Sequence, residues 1–273
     1  MTQGTQGIAQ ADIARDLRAL GLAAGDMVYV HTSMKRIGWL AQGAQTLIDA
    51  FAEVLTPEGT LAVPSHTLSF AGRPPYDPRE TATGLGTFPD AVWRAPGARR
   101  SGHASHASAA IGARAAWLTE NHDPTHALGF DSPLHRLYRE GGRILLLGVT
   151  FRACTALHLA ESLSGVPYTA LHYDARWGSQ VFARRPDGTV AAHTQVEYPG
   201  CSSGFDRILP HVPEGALRTG RVGAAESMLV AAAPLLDTAI RLLREDPGFF
   251  LCTSQACPCC PPRRALLAAG ERT

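Results

Sequence analysis

Lysine is nearly missing from this chain: of 25 basic residues only Lys35 is lysine, and the rest are arginine. Net charge is missing as well, because 24 acidic residues leave a formal value of +1. Such a balance provides no global field for a polyanion, so nucleic acid is not an expected partner. No apolar run approaches the roughly 18 to 20 residues that cross a bilayer. Met1 to Gly7 lacks both the basic and the apolar stretch of a secretory signal. The expectation is a cytoplasmic protein without membrane contact. Cysteine is scarce over most of the length, and four of the six fall between Cys252 and Cys260. That is not the evenly spread framework of a small disulfide-rich secreted protein. Cys252, Cys257, Cys259 and Cys260 could offer four thiolates to zinc, but their spacing is not that of a ribbon or finger with paired CxxC knuckles. Reduced thiols without a metal are expected, with the oligomeric state left open.

Of 273 residues, 45% are apolar and 18% charged, enough for a sizeable core. One domain over 1–273 is expected, with a cysteine-rich tail from about 252. Ile8, Ile13, Leu17 and Leu20 recur at nearly helical spacing and stop at Gly21, a C-cap signal. Asp26 to His31 reads as a strand, Ala44 to Leu55 as an amphipathic helix and Thr60 to Pro64 as a strand, which together make a parallel βαβ unit. Leu68 to Leu85 has no periodicity and reads as a long loop. Further helices are expected over Phe88 to Arg94, Arg114 to Asn121 and Ser132 to Glu140, with strands over Ser108 to Ile111 and Arg143 to Val149. Pro186-Asp187-Gly188 between two β-prone runs predicts an antiparallel hairpin that makes the sheet mixed. Ala224 to Arg244 reads as one long helix interrupted at Pro234. The fold class is α/β: a layered α/β/α sandwich around a mixed central sheet, with an antiparallel hairpin in the C-terminal half.

Chemistry concentrates after the strand ending at Val149, in Cys154-Thr155-Ala156-Leu157-His158-Leu159-Ala160-Glu161. On a helix, His158 and Glu161 at i, i+3 share one face about 5 to 6 Å apart at Cβ. A carboxylate there orients the ring and stabilises its imidazolium, which suits His158 as a general base. The hydroxyl of Thr155 is a candidate to stabilise a developing oxyanion. Cys154, four residues before His158, offers a thiol nucleophile as the alternative.

Five tracts occur in a telling order: His31-Thr32-Ser33-Met34-Lys35-Arg36-Ile37-Gly38-Trp39, Gly43-Ala44-Gln45-Thr46, Arg100-Ser101-Gly102-His103, Asp131-Ser132-Pro133-Leu134, and Leu146-Leu147-Gly148-Val149 leading into Thr155 to Glu161. In that order the chain resembles the antibiotic acetyltransferase family typified by aminoglycoside 3-N-acetyltransferases, from about Asp26 to Leu251. Gly102-His103-Ala104 departs from the His-Pro pair expected there, and the cysteine-rich tail is not a general family feature.

The resemblance implies the same α/β fold, acetyl-CoA as cosubstrate, an aminoglycoside as acceptor, antibiotic resistance as the outcome, and no metal in catalysis. It also implies that His31, Thr32, Ser33, Lys35, Arg36, Gly38 and Gly43 form the coenzyme A loop, with Ser101 and His103 facing acetyl-coenzyme A. The residues alone allow that loop to be a phosphate cradle at a helix N-terminus or a routine βα connection. A polyammonium acceptor calls for carboxylates, and Asp77, Glu161 and Asp174 are the candidates. Acylation of a different amine, and a non-catalytic metal-binding module built on the tail, are the rival readings.

Overall fold

A computed structural model describes residues 7–67, 73–171, 180–185 and 187–270. The chain opens with α1 (Gln10–Leu20), whose apolar face buries Ile13, Leu17 and Leu20. Gly21 ends it at φ 109°, a left-handed conformation that returns its N–H to Arg18 O. There follow β1 (Met27–Thr32), the single turn α2 (Met34–Ile37), α3 (Ala44–Leu55) and β2 (Thr60–Pro64). The βαβ expectation holds, because β1 and β2 are parallel, with Met27 opposite Thr60. Next come α4 (Thr87–Arg94), β3 (Arg99–Arg100), β4 (Ser108–Gly112), α5 (Ala115–Thr119), α6 (Pro133–Arg139) and β5 (Arg143–Leu147). Ser132 caps α6, accepting the His135 N–H at 3.2 Å, and Pro133 occupies the first helical turn where a missing N–H costs nothing.

The C-terminal half contains α7 (Ala156–Ser164), the hairpin β6 (Gln180–Arg184) and β7 (Val190–Thr194), then β8 (Leu217–Val222), β9 (Ala225–Ala231), α8 (Ala232–Glu245) and α9 (Cys260–Gly270). The main sheet has seven strands in the order β3-β4-β2-β1-β5-β9-β8. β2, β1 and β5 run parallel, while β4 joins β2 and β9 joins β5 antiparallel. Strand pleat sends alternate side chains to opposite faces. Tyr29, Ile144 and Leu146 enter one core, beneath α5 to α8, and Val28, Val30, Leu145 and Leu147 enter the other, beneath α1, α3 and α4. That is the expected layered sandwich.

Two expectations change. The hairpin forms, but as a separate two-stranded sheet. It pairs with Tyr76, which donates to Phe182 O and accepts from Arg184 N, both at 2.7 Å. The main sheet is mixed for another reason: β4, β8 and β9 run antiparallel to their neighbours. Second, Ala225–Ala231 is a strand rather than the first turns of a helix. Its Ala, Glu, Met and Leu are good helix formers, but the segment fills a slot between β5 and β8 and bonds both, and tertiary pairing overrides propensity. Pro234 therefore sits in the first turn of α8 instead of interrupting a longer helix. Among the described residues no helix is long and apolar enough to cross a membrane.

Candidate active site

The three parallel strands end together, at the place where open α/β sheets gather ligands. A cavity of about 330 Å³ opens there. Its wall comes from His66 and Thr67 after β2, Ser105 and His106 before β4, Arg152 to Thr155 after β5, His158 on α7, and the stretch from Pro199 to Phe205. Among the described residues lining it there is no carboxylate; Arg152 is charged, and three histidines face inward.

His158 stands in the first turn of α7, and its Nδ1 lies 2.6 Å from Glu161 Oε2. The i, i+3 geometry is as the sequence predicts. Glu161 is 2% exposed, and its other oxygen accepts the Tyr168 hydroxyl at 3.0 Å. Both carboxylate oxygens are therefore held, and a held carboxylate fixes the ring it bonds. The edge-to-face contact of His158 with Phe205, ring centroids 4.6 Å apart, restrains the imidazole on another side. Thr155 caps α7, makes no side-chain bond to the helix and lines the cavity beside His158. Cys154 is fully buried, and burial pushes its thiol up to about 12, so it is not poised as a thiolate.

His66 and His106 carried no pattern in the sequence. In the fold their rings lie 4.6 Å apart and share the cavity with His158. Burial lowers His106 to about 3 and holds His66 well below the ordinary imidazole range, so both are neutral. A usable signal existed: His66 comes two residues after Pro64, at the carboxyl end of a parallel strand.

Ser101 and His103 are fully buried behind the wall rather than in it. The Ser101 hydroxyl bonds His122 Nδ1 at 3.0 Å and accepts the Ser108 N–H at 2.9 Å. His103 Nδ1 accepts the His106 N–H at 3.0 Å. Together they fix the turn that presents Ser105 and His106 to the cavity. His31 is buried at the end of β1, and its Nε2, the Thr32 Oγ1, the Ser65 Oγ and the His66 Nε2 are buried polar atoms without a protein partner. These absences hold among the described residues, and the four atoms do not make one site, because His31 and Thr32 are neighbours on β1 and point to opposite faces of the sheet. Ser33 precedes α2, Lys35 and Arg36 are exposed on it, and Gly38 and Gly43 take φ of 103° and 60°. Gly43 opens α3 with no capping side chain, and a Cβ there would meet nothing within 4 Å, leaving the first-turn N–H groups accessible to an anion.

Asp77 is not brought to the cavity. Its carboxylate bonds the Arg79 guanidinium at 3.1 Å and lies 3.6 Å from Arg184, and the bonds from Arg79 hold it below the usual carboxylate range. Asp174 and His172 lie outside the described residues.

A family model described as Aminoglycoside 3-N-acetyltransferase matches residues 29–244. Aminoglycoside N(3)-acetyltransferase VII of Streptomyces paromomycinus is 35% identical, over 88% of this chain and 93% of its own. Aminoglycoside acetyltransferase AAC(3)-IVa, solved as a histidine-to-alanine variant in complex with a gentamicin, superposes with a TM-score of 0.83 at 30% identity, over 96% of this chain and 99% of its own. AAC-IIIb, solved as a binary complex with CoASH, superposes with a TM-score of 0.77 at 29% identity, over 87% and 97%. The chain belongs to the aminoglycoside 3-N-acetyltransferase family of acyltransferases.

Proposed function

We propose that the protein transfers the acetyl group of acetyl-CoA directly to the 3-amino group of a deoxystreptamine aminoglycoside, with His158 as general base, and so confers resistance. The observation that carries this reading is the 2.6 Å bond between His158 Nδ1 and Glu161 inside the wall of the cavity. An ionised carboxylate only accepts, so the proton sits on Nδ1 and the lone pair on Nε2, the nitrogen left for a substrate. The acceptor nitrogen attacks the thioester carbon, Nε2 takes its proton, and the imidazolium returns that proton to the departing thiolate. Glu161 orients the ring and stabilises its charged form, while the Thr155 hydroxyl, which lines the cavity, suits the developing oxyanion. Lys35 and Arg36, exposed on α2, and the start of α3 at Gly43, which has no capping side chain, suit the phosphates of coenzyme A. Ser101 and His103 act through the turn they hold.

Substrate charge is a separate question. The acidic residues proposed for it reduce to Glu161, which is already bonded to His158 and Tyr168, and to Asp174. The direct test is incubation of the protein with acetyl-CoA and a panel of deoxystreptamine aminoglycosides, with the product identified by mass spectrometry and the modified nitrogen by NMR. Acetylation at N3 is expected; turnover confined to some other amine would replace the acceptor and leave the acyl transfer in place.

Two variants probe the chemistry. Cys154→Ser is expected to stay active with sequential kinetics, because the buried thiol takes no acetyl group; parallel double-reciprocal lines or acetyl trapped on Cys154 would reverse that assignment. Glu161→Gln keeps the shape but loses the charge, and kcat should fall about 10- to 10³-fold with little change in KM for acetyl-CoA. An unchanged kcat would show that the carboxylate only packs.

A further inference from the structure

Four cysteine sulfurs meet at one point on the far side of the cavity wall. Cys201, from the stretch that follows the hairpin, joins Cys252, Cys257 and Cys260, and all four ligand atoms lie within 4.8 Å of one another. We propose that Cys201, Cys252, Cys257 and Cys260 form a structural tetrathiolate site for one zinc ion, which clamps the C-terminal segment to the wall of the active-site cavity.

The geometry suits a tetrahedral ion. With Zn–S bonds of about 2.3 Å, tetrahedral sulfurs stand roughly 3.8 Å apart, so these thiols need only a small inward movement. Thiolates bound to a metal are normally supported by further hydrogen bonds, and one such bond is in place here. The Ser203 N–H reaches Cys201 Sγ at 3.4 Å. Cys257 and Cys260 also bracket Pro258-Cys259 as a CxxC pair, which the close succession of cysteines conceals in the sequence.

Cys259 is not part of this set. It is 6% exposed and borders the same surface recess, but its sulfur is not among the four that converge. Of the four tail thiols that the sequence offers, three join the cluster, and Cys201 stands where Cys259 does not. A surface recess bordered by Cys201, Cys252 and Cys257 gives an ion a way in. Cys201 lies between Gly200 and Ser202, both of which line the active-site cavity, so a metal here would fix that wall in place. Arg264 on α9 donates to Cys252 O, which ties the terminal helix to the same knot.

The test uses the full chain purified in reducing buffer. Elemental analysis should find one zinc per chain. Exchange for Co(II) should give intense sulfur-to-cobalt charge-transfer absorption in the near ultraviolet and the visible bands of a tetrahedral thiolate site. Cys257→Ser and Cys201→Ser should each cut bound metal at least about tenfold in a chelator competition, while Cys259→Ser should retain it. Stripping the ion should lower Tm by at least about 5 °C. The cobalt spectrum of the unaltered chain serves as evidence even where a serine variant fails to fold. The proposal is overturned if the reduced chain neither carries zinc nor gives that spectrum, if Cys201→Ser binds metal as tightly as the parent, or if alkylation and mass analysis find the four thiols paired as disulfides in freshly isolated protein.

Discussion

Replacing His158 by alanine is expected to lower kcat about 10²- to 10⁴-fold, the usual scale for loss of a positioned base, with little change in the dissociation constant of acetyl-CoA. His158 sits in the cavity wall with only 10% of its side chain exposed, and its Nδ1 is committed to Glu161. Removing the ring deletes the acceptor for the substrate proton and leaves Glu161 bonded to Tyr168. A merely structural role would lower Tm and leave the shape of the pH–rate profile unchanged. Loss of the base should instead abolish the acidic limb of that profile, and added imidazole should restore part of the rate. Turnover near that of the parent protein in His158→Ala would remove this residue from the mechanism.

The second large effect concerns acid. Burial lowers His31 and His106 to about 3 and His122 to about 4, and drives His66 and His103 well below the ordinary range. Each is neutral in the fold but gains a proton in the unfolded chain near its usual value of about 6.5. The unfolded state therefore binds more protons below that pH, so stability is fully present above about 6.5 and is lost as pH falls toward 4. Each group contributes up to about 1.4 kcal/mol per pH unit in that window. Five acting together reach the ~5 to 15 kcal/mol of a whole domain within about two pH units. Urea unfolding at pH 7.5, 6.5 and 5.5 should show a steep fall in midpoint over the last step, with acid unfolding near about pH 5. A midpoint constant from pH 7.5 to 5 would mean that these histidines gain protons without opening the fold.

Sensitivity to acid and catalysis arise from the same construction. Three strand ends and two turns bury several imidazoles together, and Ser101, His103 and His122 brace one another behind the residues that face the cavity. His103 and His122 stack at 4.8 Å, which is tolerable only while both remain uncharged. The cavity thus keeps its neutral histidines at the cost of stability in acid, and among the described residues only His158, of the three that line it, has a carboxylate beside it.

Patterns whose physics is local were legible in the sequence alone: the helical spacing that ends at Gly21, the βαβ unit from Met27 to Pro64, and the pairing of His158 with Glu161 at i, i+3. Each depends on residues within a few turns of chain or on one short connection. The ordered tracts from His31 to Glu161 also identified the family. The tertiary structure decided whatever depends on contacts between distant segments. Ala225–Ala231 became a strand because a slot between β5 and β8 outweighs helix propensity. Asp77 was taken out of the site by two arginines, one of them on the hairpin. His66 and His106 became cavity residues, and Cys201 rather than Cys259 completed the thiol cluster. Spacing along a chain encodes which face of an element a residue occupies, but not which other element that face will meet, because that is set by packing the whole core at once.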